Sequence, residues 1–239
     1  MESCVWRPEC TPPCYCTPCP DLSGVQFASH AHARTLHNLL PVDRTVCAPS
    51  SLACLRTRCT MVHLQRIEVS QADALSRLAR TAYEAQWRGI DPDESVDRAL
   101  TEELSPKQCA LDLADPRNHF IFVYEHDPAS DASVEPIGYA KLVNDPPEVP
   151  PEVPRSAGQP TARVHRMYFL PHLKGRGYGK ILLRECLRIA KEEWRVAHAW
   201  LGVYPKNERA KALYTSFGFT KVGTIDYHGD TDNLMWLEL

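Results

Sequence analysis

A glycine-rich run between a predicted strand and a predicted helix is the feature that most constrains the fold of this chain. Its sequence is Lys174-Gly175-Arg176-Gly177-Tyr178-Gly179-Lys180. Residues 162–169 before it alternate as a strand does, and residues 181–194 after it carry apolar residues at helical spacing. The first turn of a helix has N–H groups without intrahelical partners, and glycines let an anion approach them. The run predicts a cradle for a pyrophosphate, although similar patterns also occur in turns that bind no ligand.

A second motif follows further along the chain. Residues 197–204 read as another strand, and residues 205–219 read as a short helix that ends at a glycine. The run Asn207-x-x-Ala210-x-x-x-Tyr214, with Gly218-Phe219 after it, resembles the motif that follows the fifth strand in the GNAT superfamily of N-acetyltransferases. The run Lys174-x-x-Gly177-x-Gly179 is similar to that family's pyrophosphate loop, except that Lys replaces the usual Arg or Gln.

The resemblance implies the GNAT fold, which is of the α/β (α+β) class. Its central sheet is mixed but mostly antiparallel, has about six to seven strands, is flanked by helices and is splayed between the fourth and fifth strands. This domain is expected at residues 61–239. Within it, the patterns predict helices at about 70–86 and 96–104, a short helix around 111–113, a hairpin from 119–125 and 136–143, and a last strand at 234–237.

Residues 1–60 are a different kind of sequence. Eight of the ten cysteines lie there, and the first lysine of the chain is Lys107. This extension is expected to be disordered or not native to the fold, because it has no periodic apolar pattern and Met61 opens the first predicted strand. No metal ligand is assigned. Three alternatives are left open for this extension. They are an optional leader, an organellar transit peptide, and a zinc site or disulfide knot at Cys10, Cys14, Cys16 and Cys19.

Charge and hydropathy argue against several classes of function. The formal net charge is −3, so no basic surface for nucleic acid is expected. No apolar run approaches the length of a membrane span, and the amino terminus lacks the pattern of a secretory signal. The default expectation is a cytoplasmic protein without a nucleic-acid or membrane partner. A homodimer is left open.

By resemblance, the co-substrate is acetyl-coenzyme A. In this family the fourth strand bulges and its backbone N–H groups hold the thioester oxygen and the pantetheine arm, a role that falls by position to Met167 and Phe169. Asn207 and Ala210 are expected near the cofactor arm, with helix capping as the alternative role of Asn207. The residues expected to hold the pyrophosphate are Lys174, Gly175, Arg176, Gly177, Tyr178, Gly179 and Lys180.

Catalysis needs a proton for the departing thiolate and a route by which the amine loses its proton. The resemblance assigns the first role to Tyr214, which would also contact the cofactor, with packing alone as the alternative. Many relatives have Glu in the fourth strand where this chain has His165, and a neutral imidazole can accept a proton there directly or through water. Alternation leaves open which face His165 occupies. Weaker candidates for the base are Tyr124, Glu125 and Asp226.

The acceptor is expected to be a small amine, and the nearest subgroup by resemblance is the bacterial polyamine N-acetyltransferases. The resemblance lies in residues 138–141, 200–208 and 227–230. Acidic residues on the predicted acceptor helices are compatible with a cationic substrate, namely Asp91, Asp93, Glu94, Asp97, Glu102 and Glu103. The proline run at 146–154 predicts a solvated insertion, with an acidic flap over the acceptor mouth as alternative. Acetylation of protein N-termini or lysines, and acyl-coenzyme A binding without catalysis, are left open.

Overall fold

The computed structural model describes residues 62–131, 133–173, 175–227 and 230–239. The predicted pyrophosphate contact of Lys174 and everything predicted for residues 1–60, including the zinc alternative, lie outside the described residues. None of the helices in these ranges is long and apolar enough to cross a membrane. Within the same ranges, no three His, Cys, Asp or Glu side chains are grouped as metal ligands.

The domain is built on one sheet. Its strands are β1 His63–Arg66, β2 Asn118–Tyr124, β3 Gly138–Asn144, β4 Ala162–Phe169, β5 His198–Val203, β6 Thr220–Tyr227 and β7 Asp230–Glu238. Their order across the sheet is β1-β2-β3-β4-β5-β7-β6. Every neighbouring pair is antiparallel except β4 and β5, which are parallel. The predicted mixed, mostly antiparallel sheet of six to seven strands is confirmed.

β4 and β5 pair only where they begin, through Ala162 with Ala199 and Arg163 with Trp200. Each of the two strands is paired along its length with its other neighbour, β4 with β3 and β5 with β7. Because each strand follows its own antiparallel neighbour, the two separate beyond Arg163 and leave a gap in the sheet. The predicted splay between the fourth and fifth strands is confirmed.

A bulge in β4 lies beside this gap. Lys141 pairs with Arg166 and Leu142 pairs with Val164, so His165 is an additional residue with no partner position on β3. A bulge bends its strand and increases the local twist. The part of β4 after His165 is therefore directed away from β5.

Helices cover both faces of the sheet. In the described part of the chain they are α1 Ala72–Trp87, α2 Asp93–Arg98, α3 Pro106–Ala114, α4 Tyr178–Arg188 and α5 Glu208–Ser216. A π-helical turn extends α2 through Ala99–Glu103, and another extends α4 through Ile189–Glu193. The first three helices bury their apolar stripes on one face, around Phe122. On the other face, α4 packs around Leu142 and α5 packs around Leu201.

The loop at 146–154 is only in part the solvated insertion that its sequence predicts, because five of its nine residues are exposed while Val153 is buried. Val153 is only 3% exposed and packs against Trp200 and Leu234, and Val149 is partly buried beside it. No residue of the described helices belongs to this cluster, so the loop itself covers this part of β5 and β7. An apolar sheet face without a helix gives the two valines a surface to bury, and burial of such a side chain stabilises the fold by roughly 1.5–3 kcal/mol.

Candidate functional site

A cavity of about 1420 Å³ lies at the gap between β4 and β5. Residues 175–180 and the first turns of α5 line one part of it, which we call the loop half. The end of α1 and the helix α2 with its π-helical turn line the other part, which we call the helix half. β4 lines both halves from Arg163 to Phe169. The volume exceeds the roughly 300–1000 Å³ of a site for one small molecule, so the cavity has room for two.

The glycine-rich run forms the turn that enters α4. Gly177 is the N-cap of α4 with φ 86°, and Gly175 has φ 99°, both in the left-handed region that favours glycine. A Cβ added to Gly177 would meet no atom within 4 Å, so the space in front of the helix is open. The N-terminus of a helix attracts anions through its N–H groups and its dipole. The geometry fits the predicted pyrophosphate cradle.

Arg209 of α5 is a residue of the loop half that the sequence patterns did not single out. Its guanidinium lies 3.5 Å from the position of a Cβ on Gly175. A Cβ on Gly179 would lie 3.2 Å from Leu213, so Gly179 lets α5 approach α4 closely enough to bring Arg209 to the loop. The sequence does show a cation two residues after Asn207. Whether Arg209 reaches the glycine-rich loop depends on how α4 and α5 pack, which residue order does not reveal.

Glu125 organises the outer side of the loop. Its Oε1 accepts a short hydrogen bond from the Tyr178 hydroxyl and another, 3.0 Å long, from Nη1 of Arg176. Burial and the bond to Glu125 raise the pKa of Tyr178, which therefore stays protonated. Glu125 was one of the weaker candidates for the base, but the structure places its carboxylate against the glycine-rich loop.

The backbone of β4 presents polar groups to the gap. The N–H of Leu170, just after β4, donates to the carbonyl of Ile137, just before β3, over 3.0 Å. Because N–H groups alternate in direction along a strand, those of Met167 and Phe169 face away from β3, toward the gap. This is the orientation that the predicted role of Met167 and Phe169 requires.

Tyr214 lies in α5 and lines the cavity. Its ring is 8% exposed and meets the ring of Phe219 edge to face, with the centroids 5.9 Å apart. Burial raises the pKa of its phenol, with the nearby Tyr168 as a smaller cause. The hydroxyl therefore carries its proton throughout the ordinary pH range, as a proton donor must.

Asn207 caps the helix that holds Tyr214. Its Oδ1 accepts a hydrogen bond of 3.0 Å from the N–H of Ala210, and both residues line the cavity. The capping role named as an alternative is therefore present, and the cap fixes the start of α5 at the loop half.

We expect Asn207→Ala to lower the free energy of unfolding by about 1 kcal/mol, since the cap bond is lost. Asn207→Ser keeps an acceptor at the cap and should recover most of that loss. Urea denaturation of the three proteins measures the difference. Equal stability of the Ala and Ser variants would show that the cap contributes nothing measurable.

His165 is the additional residue of the bulge in β4 and lines the cavity, as its neighbours from Arg163 to Phe169 also do. The pKa of its imidazole is held well below the usual 6.5, first by burial and then by the charges of Arg163, Arg166 and Lys141. His165 is therefore neutral near pH 7 and has a lone pair for a proton. The same causes make it a weak base.

The depressed pKa of His165 predicts acid destabilisation with a defined sign. Below pH 6.5 the unfolded chain binds a proton at His165 and the folded chain does not, so stability falls as pH falls toward the folded pKa. The slope is at most about 1.4 kcal/mol per pH unit for one proton. Replacing His165 by Gln should flatten the stability curve between pH 8 and pH 5. Parallel curves for the two proteins would contradict the burial of a neutral imidazole.

The other weaker candidates for the base do not line the cavity. Tyr124 packs in the core under α1 and α3, and Asp226 accepts a hydrogen bond of 3.2 Å from Thr231 in the β6–β7 hairpin. Among the candidates named from sequence, the structure brings His165 and Tyr214 together in one cavity.

At the helix half and just outside it, three of the six predicted acidic residues contact arginines. Arg88 contacts Glu84, Asp93 and Asp97 at 2.9, 3.3 and 2.8 Å. Arg166 of β4 contacts Glu103 at 2.8 Å. Half of the acids that suggested a cationic acceptor, namely Asp93, Asp97 and Glu103, are thus paired within the protein.

Comparisons with known proteins agree with this architecture. The profile of the Acetyltransferase (GNAT) family matches residues 74–219. An uncharacterized N-acetyltransferase of Mycobacterium tuberculosis is 27% identical over 175 residues, which are 72% of this chain and 99% of the relative. A probable spermine N(1)-acetyltransferase of Bacillus subtilis subsp. natto is 29% identical over 67 residues, 28% of this chain and 44% of that protein.

The fold is shared with solved structures, of which one example is the PaiA N-acetyltransferase of Thermoplasma acidophilum in complex with coenzyme A. Its TM-score is 0.56 at 18% identity, and the match covers 74% of this chain and 99% of that one. The fold, the glycine-rich loop at α4 and the family match over residues 74–219 point to the same conclusion. The chain belongs to the acetyltransferase (GNAT) family and is an N-acetyltransferase that uses acetyl-coenzyme A.

Proposed function

We propose that this protein transfers an acetyl group from acetyl-coenzyme A to the primary amine of a small molecule of the polyamine class, by direct attack with both substrates bound. The observation that carries the proposal is the single cavity that joins the glycine-rich loop to the helix half across the gap. Since β4 lines both halves, an acceptor in the helix half meets a donor in the loop half without a covalent intermediate on the protein.

The loop half would hold the donor. The N-terminus of α4 at Gly177, together with Arg209 and Lys180, supplies partial and full positive charge for a pyrophosphate. The N–H groups of Met167 and Phe169 would hold the pantetheine arm and the thioester oxygen, where negative charge develops. Acetyl-coenzyme A supplies the activated acetyl group, and the protein supplies its position.

Proton transfer would be divided between two side chains. The bond between nitrogen and the acetyl carbon forms as the bond from that carbon to sulfur breaks. His165 would take the proton that the amine loses, directly or through water, and the Tyr214 phenol would give its proton to the leaving thiolate. His165 is neutral and can accept a proton, as a weak base, and Tyr214 is protonated and can donate one.

Two observations support a small acceptor over a peptide. Trp87 at the end of α1 contacts Tyr204 after β5, with ring centroids 5.4 Å apart, so side chains bridge the gap on the helix half. The loop at 146–154 packs on the sheet through Val153 and does not form the wall of an open groove. The local similarity to a probable spermine N(1)-acetyltransferase favours the polyamine class.

The experiment is thiol release from acetyl-coenzyme A across a panel of polyamines, arylalkylamines, amino acids and peptides, with the acetylated product identified by mass. We expect turnover with spermidine or spermine, and little with peptides that offer an N-terminus or a lysine. Peptides as the best substrates would favour protein acetylation instead. Binding of acetyl-coenzyme A without thiol release for any amine would favour a protein without catalytic activity.

A further inference from the structure

Four aromatic side chains line the helix half of the cavity, and we call them the aromatic wall. They are Tyr83, Trp87, Tyr168 and Tyr204. Their ring centroids are 6.2 Å apart for Tyr83 and Trp87, 5.9 Å for Tyr83 and Tyr168, and 5.4 Å for Trp87 and Tyr204. The wall therefore runs without interruption from α1 across β4 to the end of β5.

Trp87 makes its polar contact at the edge of its ring. The Trp87 indole N–H donates to the Tyr168 hydroxyl over 3.0 Å, and the Trp87 and Tyr204 rings meet edge to face at 80°. The face of an aromatic ring carries partial negative charge, and organic cations bind to it. Because Trp87 and Tyr204 are only half-buried, their rings have surface available to a ligand in the cavity.

Formal charge in the helix half gives a cationic acceptor little attraction. Within the cavity lining, Glu103 is held by Arg166. Outside that lining, Arg88 holds Glu84, Asp93 and Asp97. The described residues that line the helix half and its border with β5 and β7 include three carboxylates and three guanidinium groups. The carboxylates are Asp91, Glu103 and Asp232, and the guanidinium groups are Arg98, Arg163 and Arg166. An acceptor with a second positive charge therefore needs a different partner for that charge.

We infer that the aromatic wall binds the distal ammonium group of a diamine or polyamine acceptor through the ring faces of Trp87 and Tyr204, while the reacting amine lies at β4. This inference rests on the proposed transfer to a small amine and assigns the part of the site that selects it. The wall acts as a specificity determinant, since it recognises a charge that takes no part in the reaction.

The test compares two acceptors of equal length, 1,6-diaminohexane and hexylamine, at a pH where the distal amine is protonated. The ratio of their kcat/KM values measures the contribution of the distal ammonium group to recognition of the acceptor. We expect the unaltered protein to favour the diamine by about five- to thirtyfold, the range of a partly desolvated cation on aromatic faces. Tyr204→Leu should reduce the ratio to within about twofold of unity, and Tyr204→Phe should retain it because the ring face remains.

Asp93→Asn is the matched control, since Asp93 lies near the same end of α1 but is exposed and bound to Arg88. It should leave the ratio unchanged. Loss of the preference in Asp93→Asn with retention in Tyr204→Leu would assign recognition to carboxylates and overturn the inference. A preference of the unaltered protein for hexylamine or phenethylamine would also overturn it, while leaving the transfer to small amines intact. Absence of turnover with every amine would overturn the proposed function itself.

Discussion

Gly177→Glu is expected to abolish binding of acetyl-coenzyme A while the domain remains folded. The glutamate side chain would enter the open space at the N-terminus of α4 and place a carboxylate in the proposed pyrophosphate cradle. In the unaltered protein, acetyl-coenzyme A at 100 times its Kd should stabilise the fold by about 2.7 kcal/mol. The variant should lose this stabilisation, which is read as the ligand-induced shift in Tm.

Gly158→Glu provides a matched control for this prediction. Gly158 has φ 77°, close to the 86° of Gly177, and an added Cβ there also meets no atom within 4 Å. Both substitutions therefore carry a similar backbone strain of about 1–2 kcal/mol and the same charge. We expect Gly158→Glu to lower Tm but to keep the full shift with acetyl-coenzyme A. An unchanged shift in Gly177→Glu would mean that the phosphates bind elsewhere.

Tyr214→Phe is expected to lower kcat by about 10²-fold, in the range of a lost general acid. The KM for acetyl-coenzyme A should change little, because the ring and its packing on Phe219 remain. The reduction in kcat should be smaller for an acyl donor whose leaving thiol has a lower pKa, since such a thiolate needs less protonation to leave. This dependence separates proton donation from packing, because a defect in packing would be the same for both donors.

The control is Tyr124→Phe, which removes a buried hydroxyl from the core under α1 and outside the cavity. Its kcat should remain that of the unaltered protein. If Tyr214→Phe keeps full kcat, then Tyr214 only packs in α5, and the proton for the thiolate comes from water or another group.

Much of the loop half could be predicted from the sequence, because the elements that form it are adjacent in the chain. A strand, a glycine-rich turn and a helix adjoin one another in the chain, so Gly177 and the start of α4 are visible from residue order alone. The same holds for Asn207, whose cap bond reaches only three residues, to Ala210. The splay and the mixed, mostly antiparallel character of the sheet came from the family resemblance, because periodicity carries no information about long-range pairing. The strand order is known only from the structure.

Features that depend on distant partners were not predicted. The family resemblance implied a bulge in the fourth strand, but its position at His165 was not predicted because it follows from the register with β3. β6 was missed because Gly223 interrupts its alternation. Glu125 reaches Arg176 across 51 residues of sequence. The aromatic wall likewise draws its members from α1, β4 and the end of β5, so no local pattern reveals it. Val153 is buried and Val149 partly buried because the sheet beside them lacks a helix.

Initial-rate kinetics of thiol release, with acetyl-coenzyme A and spermidine varied together, test the central claim most directly. A single cavity that holds both substrates predicts that release requires both and that double-reciprocal plots intersect, with one N-acetylated product for each thiol. Parallel lines, together with an acetyl group attached to the protein in the absence of spermidine, would contradict direct transfer across the gap between β4 and β5.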